Sequence, residues 1–328
     1  MNYKKIVLFV LGLLVSFSGL SQEAKERNQE NINVNKFRQL YQEFSSPNMF
    51  RTASGAPGPA YYQQQADYKM DIELDDENKR VYGSETITYT NNSPDNLEYL
   101  WVQLDQNIRK KDSPSLLIDE GGVSPAYAPS SFTKEFLNDP FDGGFNIEYV
   151  LDINKKPLKH FVNQTMMRVD LPNVLKSGES YSFSIKWWYN IQDHVNQDGR
   201  SGYESFDKDG NRVYIIAQFF PRMAVYNEVE GWQNYQFWGD GEFALPFGNY
   251  DVKITVPSDH ILDATGELQN RKNVFSKEMI KRYNKAKKTY DKPVMIVTQS
   301  EAEEVEKGFS KKKKTWHFVA ENVRDFAF

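Results

Sequence analysis

Cysteine is absent from the 328 residues of the chain. Without a thiol, the chain cannot form a disulfide, use a cysteine nucleophile or bind zinc through thiolates. An excess of basic residues is missing as well, since 40 lysines and arginines face 45 aspartates and glutamates, for a net charge of −5. A nucleic-acid partner requires a basic face. We therefore expect no nucleic-acid partner and a fold held by burial and hydrogen bonding alone.

Long apolar runs are also scarce, and the one that stands out lies at the start of the chain. Ile6–Val15 follows two lysines, and the small residues Gly19 and Ser21 occupy the −3 and −1 positions of a secretory cleavage site. About 10 apolar residues are short for a bilayer, which requires ~20, so a transmembrane anchor is the weaker alternative. The sequence predicts a signal peptide over residues 1–21 and an exported protein that is periplasmic, cell-surface or secreted. It also predicts no stable membrane insertion after cleavage.

Residues 22–60 are predicted to form a flexible leader with a short helix. Gln22–Asn35 is polar and charged and has no apolar face, whereas Lys36–Phe44 carries apolar side chains at helical spacing. Ser54–Pro59 is rich in glycine and proline, as linkers are. A β-rich domain is therefore expected over residues 61–328.

The rest of the chain has the two-residue alternation of β-strands. Tyr68–Leu74 and Arg80–Thr90 alternate on either side of a turn at Asp75–Asn78, which predicts a hairpin. Further strands are predicted at Leu97–Leu104, Phe145–Ile153, Thr165–Asp170, Ser180–Tyr189, Val213–Ala217, Tyr250–Val256, Val294–Gln299 and Lys314–Ala320. Many short strands with turns between them predict a mostly β fold, either a curved β-sheet or a β-sandwich. One helical excursion is predicted near residues 276–290, where Ser276 can cap a helix.

An aromatic stretch between Asn211 and Leu268 dominates the second half of the chain. It opens with Val213–Ala217, which has the length and β-branched content of a strand buried on both faces, and it closes with the alternating strand Tyr250–Val256. Eight aromatic side chains lie between them: Phe219, Phe220, Trp232, Tyr235, Phe237, Trp238, Phe243 and Phe247. So many aromatic residues set among glycines predict packing on a large surface, at an interface or in a binding cleft.

The centre of this stretch reads QFFPRMAVYNEVEGWQNYQFWGDGEFALPFGNYDVKITVP. Together with Tyr62–Asn107, the DATGEL turn at Asp263–Leu268 and Thr315–Phe328, it resembles the N-terminal domain of aminopeptidase-N-like zinc metallopeptidases, the gluzincin group. The resemblance covers roughly residues 61–328. It implies a β-rich domain that forms one wall of the cleft for a peptide substrate. It also implies zinc in the full-length enzyme, where a zinc-activated water hydrolyses the first peptide bond.

The catalytic signature of that family is missing. A zinc site of this group needs H-E-x-x-H, two imidazoles one helical turn apart with a carboxylate beside the first. No histidine of the chain is followed directly by Glu or by a second histidine four residues on; the four are His160, His194, His260 and His317. The G-x-M-E-N strand of the family is absent too. We therefore expect no catalytic residue and no bound zinc in this chain, which is inactive alone. It is interpreted as part of a larger peptidase, or a truncated product, whose missing catalytic domain binds the peptide substrate.

Three residues are candidate substrate contacts through the resemblance. Gln218 falls on the edge strand where the family places Gln or Glu against the free amine of the substrate, and its amide oxygen can accept a hydrogen bond from an ammonium. A satisfied polar residue at a strand end is the alternative. Glu242 lies where many relatives carry Asp, and capping of backbone amides is its alternative role. Arg222 can pair with such a carboxylate, and an ion pair within the fold is favoured over substrate contact.

Other patterns have simpler interpretations. Asp207–Arg212 (DKDGNR) lacks the Gly and Glu that a calcium loop needs at its sixth and twelfth positions, so Asp209 and Gly210 predict a hairpin turn. Lys311–Lys314 is typical of a solvated loop tip, with contact to an anionic surface as the alternative. Four tryptophans are expected in the core, with a sugar-stacking platform as the alternative; they are Trp187, Trp188, Trp232 and Trp238. A stand-alone β-sandwich module that binds glycans or peptides is the competing functional hypothesis.

Overall fold

The computed structural model describes residues 47–115, 126, 128–133, 141–195, 197, 199–239 and 244–328. The chain divides into two compact units, Met1–Tyr61 and Tyr62–Phe328. The predicted signal peptide, the predicted helix at Lys36–Phe44 and the candidate residue Glu242 lie outside the described residues.

The described part of the first unit is a local turn. The backbone N–H of Thr52 donates to Ala56 O at 2.9 Å, and Arg51 forms an isolated β-bridge with Pro57. The side chain of Asn48 accepts the backbone N–H groups of Phe50 and Arg51. The stretch rich in glycine and proline therefore folds back on itself, since these side-chain and backbone hydrogen bonds close the turn.

The second unit contains fifteen described strands, numbered in chain order. They are β1 (Gln65–Asp75), β2 (Arg80–Thr90), β3 (Leu97–Gln103), β4 (Asn146–Asp152), β5 (His160–Asn163), β6 (Met166–Leu175), β7 (Ser180–Asn190), β8 (Gly202–Ser205), β9 (Arg212–Ile215), β10 (Arg222–Met223), β11 (Tyr226–Asn227), β12 (Gly231–Trp232), β13 (Gly248–Pro257), β14 (Glu267–Leu268) and β15 (Lys313–Val323). Seven strands form one sheet in the order β14-β15-β13-β1-β2-β7-β4, and four form a second in the order β10-β3-β6-β5. The pairs β8-β9 and β11-β12 are separate ribbons.

Both large sheets share one hydrophobic core. Ile185 and Val252 from the seven-stranded sheet are fully buried in the same cluster as Val102 and Met167 from the four-stranded sheet. Two sheets that bury their apolar faces against each other form a β-sandwich. The predicted mostly β fold is therefore confirmed.

Alternation in the sequence explains the seven-stranded sheet. β2 begins at Arg80 and ends at Thr90, as predicted, and every second residue from Val81 to Tyr89 is buried. β7 pairs with β2 along its whole length, and the inward residues from Phe183 to Tyr189 are buried in the same way. One face of each strand therefore belongs to the core, as a period of two requires.

β13 brings the end of the aromatic stretch into the centre of this sheet. It pairs with β1 in parallel, with Tyr68 opposite Tyr250, and with β15 antiparallel. Tyr250 and Val252 are buried, as are Ile254 and Val256, which confirms the predicted alternation. Gly248 is required at the entry to β13, because a Cβ there would lie 1.6 Å from the carbonyl oxygen of Ala66.

The predicted strand at Val213–Ala217 is present over Val213–Ile215, but its predicted burial on both faces is wrong. The strand β9 lies in a two-stranded ribbon with β8, and Val213 and Ile215 are 53% and 58% exposed. A ribbon of two strands has no second layer over its outer face, so a continuous apolar run does not guarantee burial. Ile216, directly after the strand, is the residue that enters the core.

The helices lie mainly between β14 and β15. They are α1 (Pro129–Phe132), α2 (Arg271–Val274), α3 (Lys277–Ala286) and α4 (Gln299–Val305), together with a 3-10 turn at Asp105–Arg109. The predicted excursion is α3, and Ser276 caps it by accepting the N–H of Met279 at 3.2 Å. None of the described helices is both long and apolar enough to cross a membrane.

The predicted strand at Val294–Gln299 is wrong, because α4 begins at its end. Thr298 accepts the backbone N–H of Glu301, and the Glu301 carboxylate accepts the backbone N–H of Thr298 at 2.8 Å. This reciprocal pair is a capping box, which satisfies two donors at the start of a helix. The local capping signal therefore overrides a short apolar run.

Candidate functional site

Gln218 lies in a strained backbone conformation outside any strand. Its φ is +54°, the left-handed region that costs a residue with a Cβ about 1 kcal/mol or more. Three of the other left-handed residues, Lys79, Lys155 and Gln164, lie in turns between strands, and Asn322 lies near the end of β15. Gln218 instead precedes two buried phenylalanines. Strain that no hairpin explains marks a candidate functional position.

The side chain of Gln218 has no hydrogen-bond partner within the described parts of the chain, whereas its backbone is held. Gln106 donates its Nε2 to the carbonyl oxygen of Gln218 at 3.1 Å and to that of Ala217 at 3.4 Å. The half-buried Gln218 amide therefore keeps one acceptor and two donor positions for a ligand.

The segment Gln218–Arg222, here called the Gln218 turn, rests on a rigid aromatic base. Phe219 and Phe220 are fully buried with ring centroids 5.0 Å apart. Trp187, also fully buried, donates its Nε1 to the carbonyl oxygen of Phe219 at 3.0 Å. Edge-to-face rings and a buried hydrogen bond leave this base little freedom to move.

Arg222 ends the turn and is only 1% exposed. Its Nε and Nη2 donate to Oδ2 of Asp105 at 3.0 and 2.6 Å, and its Nη1 donates to Oδ2 of Asp325 at 2.6 Å. Asp105 is equally buried, whereas the side chain of Asp325 is 43% exposed. Arg222 thus ties the turn to the 3-10 turn and to the segment after β15, and the predicted ion pair within the fold is present with these two partners.

Burial and charge act against each other in this network. Burial alone would lower the pKa of Arg222, but the carboxylates of Asp105 and Asp325 outweigh it and raise that pKa. Burial raises the pKa of the Asp105 carboxyl, and the charge of Arg222 offsets only part of the shift. Oδ1 of Asp105 is buried without a hydrogen-bond partner among the described residues. A pair of this kind fixes geometry, because either charge alone would be costly to bury.

Glu85 is a second buried carboxyl, on the inward face of β2. Neither of its oxygens has a hydrogen-bond partner in the described ranges, and burial raises its pKa well above the ordinary value. It lies near enough to Tyr68 and Tyr250 for its charge to raise their pKa values, although burial is the larger cause. The Tyr68 hydroxyl accepts the backbone N–H of Met223 at 2.9 Å. Burial without a hydrogen-bond partner thus favours the neutral form of this carboxyl.

The described residues do not fit a zinc site. They contain no group of three or more histidine, aspartate or glutamate side chains arranged to hold a metal ion. The ring of His317 is bonded to Asp251 at 2.7 Å, and that of His160 to the carbonyl oxygen of Leu158 at 2.9 Å. No step of a reaction is therefore assigned to a metal in this chain.

Some of the simpler interpretations are confirmed by the structure, and one is partly wrong. Asp209 and Gly210 form the turn of the β8-β9 hairpin, with φ of +75° at Gly210. The hairpin predicted for DKDGNR is therefore confirmed. Trp187 is fully buried, so it cannot stack on a sugar. The loop-tip prediction for Lys311–Lys314 is wrong in its second half, because Lys313 and Lys314 begin β15.

The sequence indicated Gln218 and Arg222 as candidates but not the residues that hold them. Asp105 and Gln106 lie more than a hundred positions away from their partners, and such pairings leave no local pattern. Glu85 left a signal, since it occupies an inward position of an otherwise apolar alternation.

No protein-family model matches the chain, and no curated protein matches it. Solved structures that are similar include M1 zinc metallopeptidase from Deinococcus radiodurans, at a TM-score of 0.39 and 12% identity, over 83% of this chain and 43% of the enzyme. A mutant of that enzyme bound to a Tyr-Ser-Ala substrate is similar at 0.39 and 12%, over 81% and 42%. The chain thus spans less than half the length of these enzymes.

Proposed function

We propose that the chain is the non-catalytic N-terminal portion of an exported zinc-dependent aminopeptidase, and that its β-sandwich forms one wall of the peptide-substrate cleft. The family resemblance over residues 61–328 suggests the class of enzyme. The observation that carries the proposal is the Gln218 turn, where a strained residue presents, from a rigid base, an amide without a partner among the described residues.

Each part of the turn has a separate task in this proposal. The amide oxygen of Gln218 accepts a hydrogen bond from the free ammonium of a peptide, which selects for an unblocked N-terminus. Gln106 fixes the carbonyl of Gln218. Arg222, too buried to reach a substrate, is a positioning residue that holds the turn through Asp105 and Asp325. Glu242 stays a predicted substrate contact.

Chemistry is assigned to a catalytic domain outside this sequence. In full-length members of the family that the sequence resembles, zinc supplies the activated water for hydrolysis. This chain orients the substrate amine and excludes water from one side of the cleft. We expect the purified chain to release no amino acid from aminoacyl reporter substrates.

Export is proposed from the predicted signal peptide. Lys4 and Lys5 precede the apolar run, and small residues stand at the cleavage positions. Mass spectrometry of the secreted or periplasmic protein is expected to find Gln22 at the N-terminus, and a retained residue 1 would contradict this.

Binding of short peptides to the purified chain tests the wall. Titration with Tyr-Ser-Ala carrying a free amine is expected to shift the NMR signals of the Gln218 side-chain amide, whereas the acetylated tripeptide is expected to leave them unchanged. Gln218→Ala removes the oxygen acceptor and weakens binding about tenfold, since a hydrogen bond to a charged group contributes roughly 1.5 to 3 kcal/mol.

Gln164→Ala is the matched control. Gln164 is also left-handed, with φ of +53°, and its carbonyl accepts Nδ2 of Asn107 at 2.7 Å, but it lies in a β-hairpin. The control is expected to bind the free tripeptide normally. Equal binding of both tripeptides, or an equal effect of both substitutions, would contradict the proposed role of Gln218. Binding of glycans in place of peptides would support the competing module hypothesis.

A further inference from the structure

A cleft of about 470 Å³ lies apart from the residues of the Gln218 turn. Its walls come from the end of β1 with the turn after it, the β8-β9 hairpin, the end of β13 with the turn to residue 263, the chain from α4 to Phe309, and Phe328. Large apolar side chains in its walls are exposed, namely Phe206, Val213, Ile261 and Phe309, the last by 68%. An exposed apolar group gathered from separate segments is typical of an interaction surface.

Some of the charged groups of this cleft are already paired. Asp76 accepts Nη1 of Arg212 at 3.1 Å and the hydroxyl of Tyr214 at 2.5 Å. Asp259 accepts the backbone N–H of Ser310 at 2.6 Å and lies 3.3 Å from a ring nitrogen of His260. Because these side chains are already bonded to neighbouring groups of the cleft walls, little of their charge is available to a ligand.

Three further carboxylates remain. Asp209, Asp263 and Glu306 line the cleft, and within the described ranges none of them forms an ion pair. Burial lowers the pKa of the nearby Lys314, and the charge of Asp259 offsets only part of this shift. The cleft, here called the acidic cleft, therefore combines unpaired negative charge with exposed apolar surface.

We propose that the acidic cleft binds a linear peptide segment that carries lysine or arginine next to a large apolar side chain. The apolar side chain packs against Phe206 and Phe309, and the cation pairs with Asp263 and Glu306. Charge complementarity selects this occupant, since negative groups repel nucleic acids and acidic segments. A metal ion alone is a poorer match, because the described residues offer no cluster of three ligands.

The probe is a dye-labelled peptide with acetylated and amidated ends and the sequence Lys-Phe-Lys-Leu-Lys. Its blocked N-terminus offers Gln218 no α-ammonium, and unchanged binding by Gln218→Ala is expected to show that the lysine side chains do not bind there, which separates this result from the proposed peptidase role. Fluorescence anisotropy with the purified chain is expected to show saturable binding that weakens as salt is added. The matched peptide Gln-Phe-Gln-Leu-Gln is expected to bind at least tenfold more weakly.

Two variants assign the binding to the acidic cleft. Asp263→Asn combined with Glu306→Gln is expected to weaken binding of the lysine peptide about tenfold, because two ion pairs are lost. Phe309→Ser is expected to weaken it about fivefold through lost apolar contact. Both variants change side chains at the surface, and unchanged thermal unfolding shows that they fold.

Glu303→Gln is the control, since it removes the same kind of charge from the exposed side of α4, where Glu303 accepts Gln299 at 2.7 Å. It is expected to bind the peptide with unchanged affinity. Absence of saturable binding overturns the proposal, as do equal binding of the two peptides and equal effects of the Glu303 and Glu306 substitutions. Displacement of the peptide by millimolar calcium at constant ionic strength would also overturn it, by indicating a cation site.

Discussion

The Gln218 turn and the acidic cleft place charged groups in opposite ways. At the turn, Arg222 and Asp105 are buried together and aromatic rings fill the space around them. At the cleft, three exposed carboxylates form no ion pair within the described parts of the chain, and Phe309 and Val213 are exposed. Buried charges must be paired to be tolerated, so those of the turn hold structure. Asp209 and Asp263 of the cleft each accept one local backbone N–H, but without an ion pair among the described residues their charge is available to a partner.

Removing Arg222 is expected to have the largest effect on this contrast. Arg222→Met leaves Asp105 buried without its counter-charge, and we expect the free energy of unfolding to fall by about 3 to 5 kcal/mol. Urea denaturation measures it. The control is Arg168→Met, which breaks an exposed pair with Asp170 and is expected to cost at most about 1 kcal/mol. Similar losses for both variants would show that the Arg222 network is no more structural than a surface pair.

The buried carboxyl of Glu85, which has no cationic partner among the described residues, also tests the rule that buried charges must be paired. The folded protein keeps its proton above pH 4.5, where an unfolded chain releases it, so unfolding releases a proton and stability falls as the pH rises. Its contribution is complete below pH 4.5 and is lost by roughly 1.4 kcal/mol per pH unit until the folded pKa is reached.

Glu85→Met removes this dependence. An apolar side chain of similar length is expected to stabilise the protein by about 2 kcal/mol at pH 8, and the gain is expected to shrink toward pH 4.5. Urea denaturation across this pH range measures the difference. A gain that does not change with pH, or a loss of stability at pH 8, would contradict a neutral buried carboxyl.

The smallest expected effect concerns the helix that carries one wall of the acidic cleft. Arg282 donates to Glu301 at 2.7 Å, and this bond, helped by Thr298, lowers the pKa of Glu301 from 4.5 to about 2. Arg282→Met is expected to raise that pKa toward 4.5, measured by an NMR pH titration. The contribution of this ion pair to folding stability is fully present above pH 4.5 and is lost as the pH falls toward 2. An unchanged pKa would assign the shift to Thr298 alone.

Sequence patterns predicted the seven-stranded sheet well, because one face of each strand meets the core. The bounds of β2 and the buried face of β7 follow from alternation alone. The predicted burial of Val213–Ala217 is wrong because an apolar run does not indicate whether a second layer of structure covers the strand. The strand predicted at Val294–Gln299 is wrong, although the capping pattern from Thr298 to Glu301 is visible in the sequence.

The candidate sites were less predictable for a physical reason. Gln218 became a candidate through family resemblance, but the bonds that hold its segment come from Gln106 and Trp187, which are distant in sequence. The acidic cleft joins Asp209, Asp263 and Glu306, which no local spacing connects. Only the pairing of strands determines which loops become neighbours.

The parallel partnership of β1 with β13 has a consequence for biosynthesis. Tyr68 leaves the ribosome long before Tyr250, its neighbour in the finished sheet, so the edge of β1 waits for most of the chain to be translated. Contacts between such distant segments slow folding, and an unpaired edge invites association with other nascent chains. We therefore expect this chain to refold more slowly than a protein of the same length built from local hairpins.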